Sequence, residues 1–381
     1  MKTKYLTFLL ATSLIVACSI NKKDKSKEGT KETIKELASF SKDSVEYSFV
    51  FLGCNRVDRH QEYDTTATNG STANLYAMKR IWNEVANLDN KPDLFFFLGD
   101  MVLGETTTTK LDDQLSNWVN LYKDTNFSSI STSGIETVAV PGNHEMLYWA
   151  DYGVKGHDEW PLKGSTEIWM KHMSEFMPKD RAVVTGNDSI NNQMTFAFTR
   201  KNIGFILMNT DTYNTPTTEN PYGLEGQIPT NWIINKVEEY KQDSSIDHIF
   251  VLGHKPYYIY ENGEITPKTG HAGFPEGPVL WPKLRDNDVI AMLSAHKHDY
   301  QRMQPEGNKT YQVIAGNAGS PGEATFFGYT KIDVMSSGEI QLTSMGFDKG
   351  NPYYASVPNN PTTIRDQTIL TSSKNANPYS N

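Results

Sequence analysis

Five short apolar runs of this chain each end on side chains able to bind a cation or move a proton. Residues 47–53 (YSFVFLG) stop at Cys54-Asn55-Arg56, residues 92–98 (PDLFFFL) at Gly99-Asp100, and residues 137–140 at Pro141-Gly142-Asn143-His144. Residues 248–252 lead into Gly253-His254, and residues 289–294 into Ala295-His296-Lys297-His298. Taken singly, such residues are turn formers or satisfied core and surface groups. Together they form a donor set: a carboxylate such as Asp100 can bridge two cations, while imidazole nitrogens and an amide oxygen complete separate coordination spheres. Two ions about 3.5–4 Å apart clamp phosphoryl oxygens and lower the pKa of a bound water. The chemistry implied is direct hydrolysis of a phosphate ester, with no covalent enzyme intermediate.

Such a set works only if the elements bring these run ends together. The runs are rich in β-branched and aromatic residues and end at Gly, Pro or Asn, which predicts buried strands. Helix-periodic stretches lie at 73–88, with Leu75, Met78, Ile81 and Val85 on one face, and at 111–122, 166–176 and 229–240. The alternation predicts an α/β fold, in which ligands bind beyond the carboxyl ends of the strands. Strand-like segments at 311–315, 325–334 and 339–345 suggest a second sheet rather than a second domain. The catalytic domain is read as residues 45–350, and residues 351–381 as a polar, turn-rich tail. Loops 151–164 and 214–226 are expected to rim the site.

The 381 residues are 38% hydrophobic and 11% aromatic, enough for a substantial core. A net charge of -9 argues against a nucleic-acid-binding surface, which needs a basic excess to replace counterions on the phosphate backbone. Residues 1–17 read as a signal peptide: Lys2 and Lys4, an apolar stretch too short to span a membrane, then Ala17. The run Leu14-Ile15-Val16-Ala17-Cys18 resembles the lipobox of bacterial lipoproteins. That resemblance implies that Cys18 is acylated and anchors the protein outside the cytoplasm. Residues 18–44, polar and Lys-rich, then form a tether, and Ser19 favours the outer membrane or cell surface over the inner membrane. Cys54, the one remaining cysteine, is left without a disulfide partner.

In their order, GD (99–100), GNHE (142–145), VxxH (251–254) and SAHKH (294–298) resemble the motif blocks of the calcineurin-like metallophosphoesterase superfamily over residues 45–345. Gln227, Trp232, GHKP, AHKHDYQR and AGNAGSPG are most similar to its purple acid phosphatase branch. The resemblance implies a four-layer α/β/β/α sandwich with two mixed β-sheets. It implies that Asp100 bridges two metals, that Asn143, His254 and His296 hold the second, and that His298 helps to hold the first. A metal-bridging hydroxide would be the nucleophile, and His144 the general acid that protonates the leaving alkoxide. Glu145 would either orient and charge-stabilise His144 or cap a following helix.

The chain departs from this pattern at two places. The superfamily opens with D-x-H where Cys54-Asn55-Arg56 stands, and purple acid phosphatases have a metal-binding tyrosine where Leu103 stands. PhoD-like alkaline phosphatases resemble this chain in having Cys-Asn at the first strand end, so Cys54 is expected to replace the aspartate. A literal D-x-H at Asp58-Arg59-His60 competes for that role. A thiolate ligand favours softer or higher-charge ions; iron, zinc and manganese are the expected cofactors. Asn55, Arg56, Tyr148, Trp149, Tyr257, Tyr258 and Arg302 neighbour the motifs and are candidates for contact with a phosphorylated small molecule, Arg56 as a bidentate clamp. The core motifs serve a phosphomonoesterase, a phosphodiesterase or a nucleotidase alike. A binding lipoprotein that lost its first metal is the non-enzymatic rival.

Overall fold

The computed structural model describes residues 43–57, 74–104, 107–148, 160–184, 193–211, 227–305, 310–320, 324–350 and 360–370. These lie in one compact unit, Phe40–Asn381. The expected signal peptide, Cys18, residues 19–42 of the tether, Asp58, His60 and Trp149 fall outside the described residues.

In chain order the elements are β1 (Val45–Leu52), α1 (Leu75–Ala86), β2 (Leu94–Leu98), α2 (Thr108–Lys123), β3 (Glu136–Val140) and α3 (Asn143–Met146). The short pair β4 (Leu147–Tyr148) and β5 (Trp160–Pro161) and helix α4 (Ser165–Met173) follow. The next group is β6 (Ala182–Val183), β7 (Phe196–Arg200), β8 (Ile203–Met208), α5 (Thr230–Gln242) and β9 (His248–Gly253). Then come the hairpin β10 (Tyr258–Glu261) and β11 (Glu264–Pro267), α6 (Gly277–Asp286), β12 (Ala291–Ser294), β13 (Tyr300–Met303) and β14 (Tyr311–Ala315). The last strands are β15 (Phe326–Met335), β16 (Ile340–Asp348) and β17 (Thr363–Ile369).

One sheet runs β17-β16-β15-β1-β2-β3 and the other β13-β14-β12-β9-β8-β7-β6. Both are mixed: β1, β2 and β3 are mutually parallel, as are β8, β9, β12 and β14, and antiparallel strands flank each group. Period-2 alternation gives each central strand two buried faces, so its sequence is a continuous apolar run. Phe49, Phe96 and Leu98 face Phe205, Phe250 and Leu293 between the sheets. Val50, Phe95 and Phe97 pack outward on Ile81 and Trp82 of α1 and Trp118 of α2. On the far side, Ile206, Val251 and Met292 pack on Val237 of α5 and Leu284 of α6. Three interlayer cores make the four-layer α/β/β/α sandwich that the motifs implied. Phe49 stands at its centre, edge-on to Phe96, Phe205 and Phe250 at ring separations of 5.6, 5.2 and 5.1 Å, a favourable quadrupole arrangement.

The late strands do not form a sheet of their own. Strand β14 joins the second sheet, while β15 crosses back to pair with β1 and β16 pairs with β15. Residues 363–369, within the segment read as a polar tail, form the edge strand β17 against β16. An edge strand needs no continuous apolar run, and Asp366 of β17 is accommodated by Arg302 of β13 rather than by solvent. Among the described residues, no helix is long and apolar enough to cross a membrane.

Candidate metal centre

Within each sheet the central strands are parallel, which places the ends of β1, β2 and β3, and of β9 and β12, on common edges. The chain turns sharply as it leaves them. Cys54, Arg56, Asp100 and His296 adopt left-handed backbone, with φ of 66°, 53°, 52° and 62°, a conformation that strains side-chain-bearing residues and clusters at functional sites. Hydrogen bonds hold it in place: Cys54 N donates to Gly99 O (3.0 Å) and Arg56 N to Asp100 O (2.8 Å), zipping the β1 exit to the β2 exit. Gly99, at φ 78°, is required because a Cβ there would lie 2.5 Å from Gly142 N and 2.7 Å from His254 Nδ1.

Four potential ligand atoms converge. His254 Nδ1 donates to Leu98 O at 2.7 Å, which fixes the tautomer and leaves the Nε2 lone pair facing the centre. That Nε2 is 3.0 Å from Asn143 Oδ1, 3.1 Å from His296 Nδ1 and 3.1 Å from Asp100 Oδ1. His296 Nδ1 is in turn 3.0 Å from Asn143 Oδ1. Two imidazoles, an amide oxygen and a carboxylate in so small a volume are the donors a borderline divalent ion takes, so these residues fit a metal. Ligand atoms of Cys54, Asp100 and His254 also gather within 4.8 Å of one another. Burial and the neighbouring Asp100 push the Cys54 thiol well up. Burial opposes ionisation of Asp100, but His254, His144 and Arg56 outweigh it and hold the carboxyl well below its ordinary range.

His144 faces the same carboxylate. Its Nδ1 donates to the Leu103 carbonyl, its backbone N–H to Asp100 Oδ1 (3.2 Å), and its Nε2 points towards Asp100 Oδ2 at 3.8 Å. Burial, reinforced by Arg56, pushes its pKa down to about 3, so the ring is neutral. Glu145 caps the start of α3 and does more. Its carboxylate accepts the backbone N–H groups of Asp100 (2.9 Å), Gly142 (2.7 Å) and Val102 (3.0 Å), bracing the β2 and β3 exits together. Burial and then Asp100 lift its pKa to about 7.

Of the other candidates, Arg56 lies at the centre, with Nε and Nη2 each 3.4 Å from Asp100 Oδ2. Asn55 is buried beside it; Nδ2 donates to Ala318 O (2.8 Å), and among the described residues Oδ1 has no hydrogen-bond partner. His298 is half-buried two residues beyond His296 and close enough for its charge to oppose that of His144. Tyr148 lies in β4. Three candidates are corrected. Tyr257 and Tyr258 belong to the core beneath β9, packed on Trp281 with ring separations of 6.3 and 5.0 Å. Arg302 forms a bidentate pair with Asp366 at 2.6 and 3.0 Å, tying β13 to β17, because burying a guanidinium on a strand requires a carboxylate partner.

Sequence reasoning missed a sixth strand end. Strand β8 exits into Asn209-Thr210-Asp211, and Asp211 Oδ1 lies 2.6 Å from Lys255 Nζ, both side chains fully buried, immediately beside His254. Lys255 N also donates to Thr210 Oγ1 at 3.2 Å. The signal was present, an apolar run stopping on a polar triplet, as at the other five ends.

A buried cluster of Asp, Asn and His ligands at the strand ends of an α/β/β/α sandwich defines the class: a metal-dependent phosphoesterase. Residues 58–300 match the calcineurin-like phosphoesterase family, and the chain belongs to it. The match begins after β1, so Cys54 stands outside it. No curated protein matches the chain. Among solved structures it is similar to the purple acid phosphatase PPD1 from seeds of yellow lupin (Lupinus luteus), with 15% identity and a TM-score of 0.51 over 86% of this chain and 54% of that one. It is also similar to PhoD, with 13% identity and a TM-score of 0.55 over 85% of this chain and 69% of that one. At such identities the likeness is one of fold, and this chain spans only about half the length of the lupin enzyme.

Proposed function

We propose that this protein hydrolyses small phosphomonoesters outside the cytoplasm, held at a membrane by lipid on Cys18. The observation that carries the hydrolytic reading is the convergence of Asp100, Asn143, His254 and His296 on one point, with Arg56 and His144 beside them. Iron, zinc or manganese bound there, with Cys54 and His298 as further ligands, would supply an activated water and shield the phosphoryl oxygens.

The chain's own groups do the rest. Arg56 turns two N–H groups into the site, enough to hold a phosphate oxygen pair. Its charge favours a dianionic monoester over a monoanionic diester. His144 is oriented by Leu103 O, so its Nε2 is the ring atom that can hand a proton to the leaving oxygen. The neutral ring must first gain that proton, and the negative charge of a docked phosphate beside it supplies the inducement. Glu145 keeps the Asp100 and Asn143 loops in register while this happens.

A substrate panel tests the reading. p-Nitrophenyl phosphate should be hydrolysed faster than bis-p-nitrophenyl phosphate; the reverse order would make the protein a phosphodiesterase, and preference for nucleoside monophosphates a nucleotidase. For the anchor, Cys18→Ser should release the protein from the membrane fraction, and unchanged membrane association would contradict lipidation.

A further inference from the structure

We infer that this centre holds a single metal ion, on Asp100 Oδ1, Asn143, His254 and His296, and that the Arg56 guanidinium stands against Asp100 Oδ2 where a second ion would have to bind. The inference rests on the phosphoester-hydrolase reading of the same site.

A carboxylate bridges two ions only if each oxygen offers a lone pair to its own cation. The two oxygens of Asp100 are divided differently. Oδ1 faces His254 Nε2 at 3.1 Å, within the compact set that also contains Asn143 and His296. Oδ2 faces Arg56 Nε and Nη2, each at 3.4 Å, with His144 Nε2 at 3.8 Å. A second cation at Oδ2 would therefore meet a guanidinium, which cannot lose its charge to make room.

The Arg56 main chain is anchored at the same place. Its backbone is left-handed, φ 53°, and its N–H donates to the Asp100 carbonyl at 2.8 Å. The same residue is thus pinned to Asp100 by main chain and side chain together. Among the described residues, one expected ligand for a second ion is also missing. Leu103 offers no side-chain donor, and its carbonyl is engaged by His144 Nδ1. Cys54 gathers with Asp100 and His254, the residues of the first ion. A guanidinium supplies the positive charge and the paired N–H donors that orient phosphoryl oxygens, without the acidity that activates water. One ion and one arginine thereby divide the work that two ions do together.

Native mass spectrometry of the full chain, titrated separately with zinc, manganese and ferrous ions, reads the stoichiometry directly, and p-nitrophenyl phosphate hydrolysis is followed on the same samples. The wild type should saturate at one ion per chain, and Arg56→His, which exchanges the competing cation for a ligand, at two. Two tightly held ions in the wild type would overturn the inference, and so would Arg56→His remaining at one. Two ions with hydrolysis would overturn it while leaving the proposed function standing. One ion with no hydrolysis of any ester would support it and overturn the proposed function instead.

Discussion

His254 Nε2 and His296 Nδ1 lie 3.1 Å apart, and both are 3.0 Å from the same oxygen of Asn143. Ligand atoms so close gain most from a shared cation. Metal should therefore stabilise the fold, by about 2.7 kcal/mol at a free concentration one hundred times the Kd. In thermal unfolding, zinc or manganese should raise the Tm of the wild type and a chelator should reverse it. His296→Ala should abolish the metal-dependent shift; an equal shift in the variant would place the ion elsewhere.

His144 turns Nε2 towards Asp100 Oδ2 while Leu103 O holds its other nitrogen. If it protonates the leaving oxygen, its importance depends on how badly that oxygen needs a proton. His144→Asn should slow hydrolysis of an alkyl phosphate by about 10²–10⁴-fold. p-Nitrophenyl phosphate, whose leaving group is stable as an anion, should be affected far less. Equal losses on both would contradict the role.

Glu145 gathers three backbone N–H groups with one buried carboxylate. Each donor left unpaired in the interior costs about 1–3 kcal/mol. Glu145→Ala should lower stability by roughly 3 kcal/mol or more in denaturant titration, and should weaken metal binding because the Asp100 and Asn143 loops lose their brace. Glu145→Gln, which can still accept, should be milder in both respects.

Arg302 and Asp366 supply a pH dependence away from the metal. Burial works against ionisation of Asp366, but the hydrogen bond and charge of Arg302, with Tyr300 OH, outweigh it and depress its pKa. The folded value thus lies below the unfolded one of about 3.9, so this stabilisation is full above that pH and falls away as the pH drops through the folded pKa. The Tm of the wild type should therefore fall more steeply below about pH 4 than that of Asp366→Asn. At neutral pH the variant should be about 3–5 kcal/mol less stable, the usual cost of stranding one member of a buried pair. Its KM for phosphate esters should not change.

The sequence made the ligand set legible because a buried parallel strand is an unbroken apolar run, and a polar residue at its end stands out against it. Asp100, Asn143, His144, His254 and His296 were found this way and do converge. Cys54 was reached through the resemblance of Cys54-Asn55 to the PhoD-like first motif, and it gathers with Asp100 and His254. Tyr257 and Arg302 failed for a common reason: adjacency in sequence to a motif does not say whether a side chain faces the site or the core. Strand β17 was hidden because edge pairing does not require apolar alternation, and its Asp366 finds its partner 64 residues away. The Asp211–Lys255 pair was hidden because a buried ion pair looks like any two surface charges until the fold brings them together.

The most direct test of the account is steady-state hydrolysis of p-nitrophenyl phosphate by the metal-loaded wild type, by the chelated protein and by Asp100→Asn. Asp100 is the residue that His254, His144 and Arg56 all address. Removing its charge should abolish what metal-centred electrostatics contributes, a loss of at least about 10³-fold in kcat/KM, or roughly 4 kcal/mol. Chelation should abolish activity, and added metal should restore it to the wild type alone. Full activity in Asp100→Asn, or activity indifferent to chelation, would contradict a metal-dependent phosphoesterase built on this site.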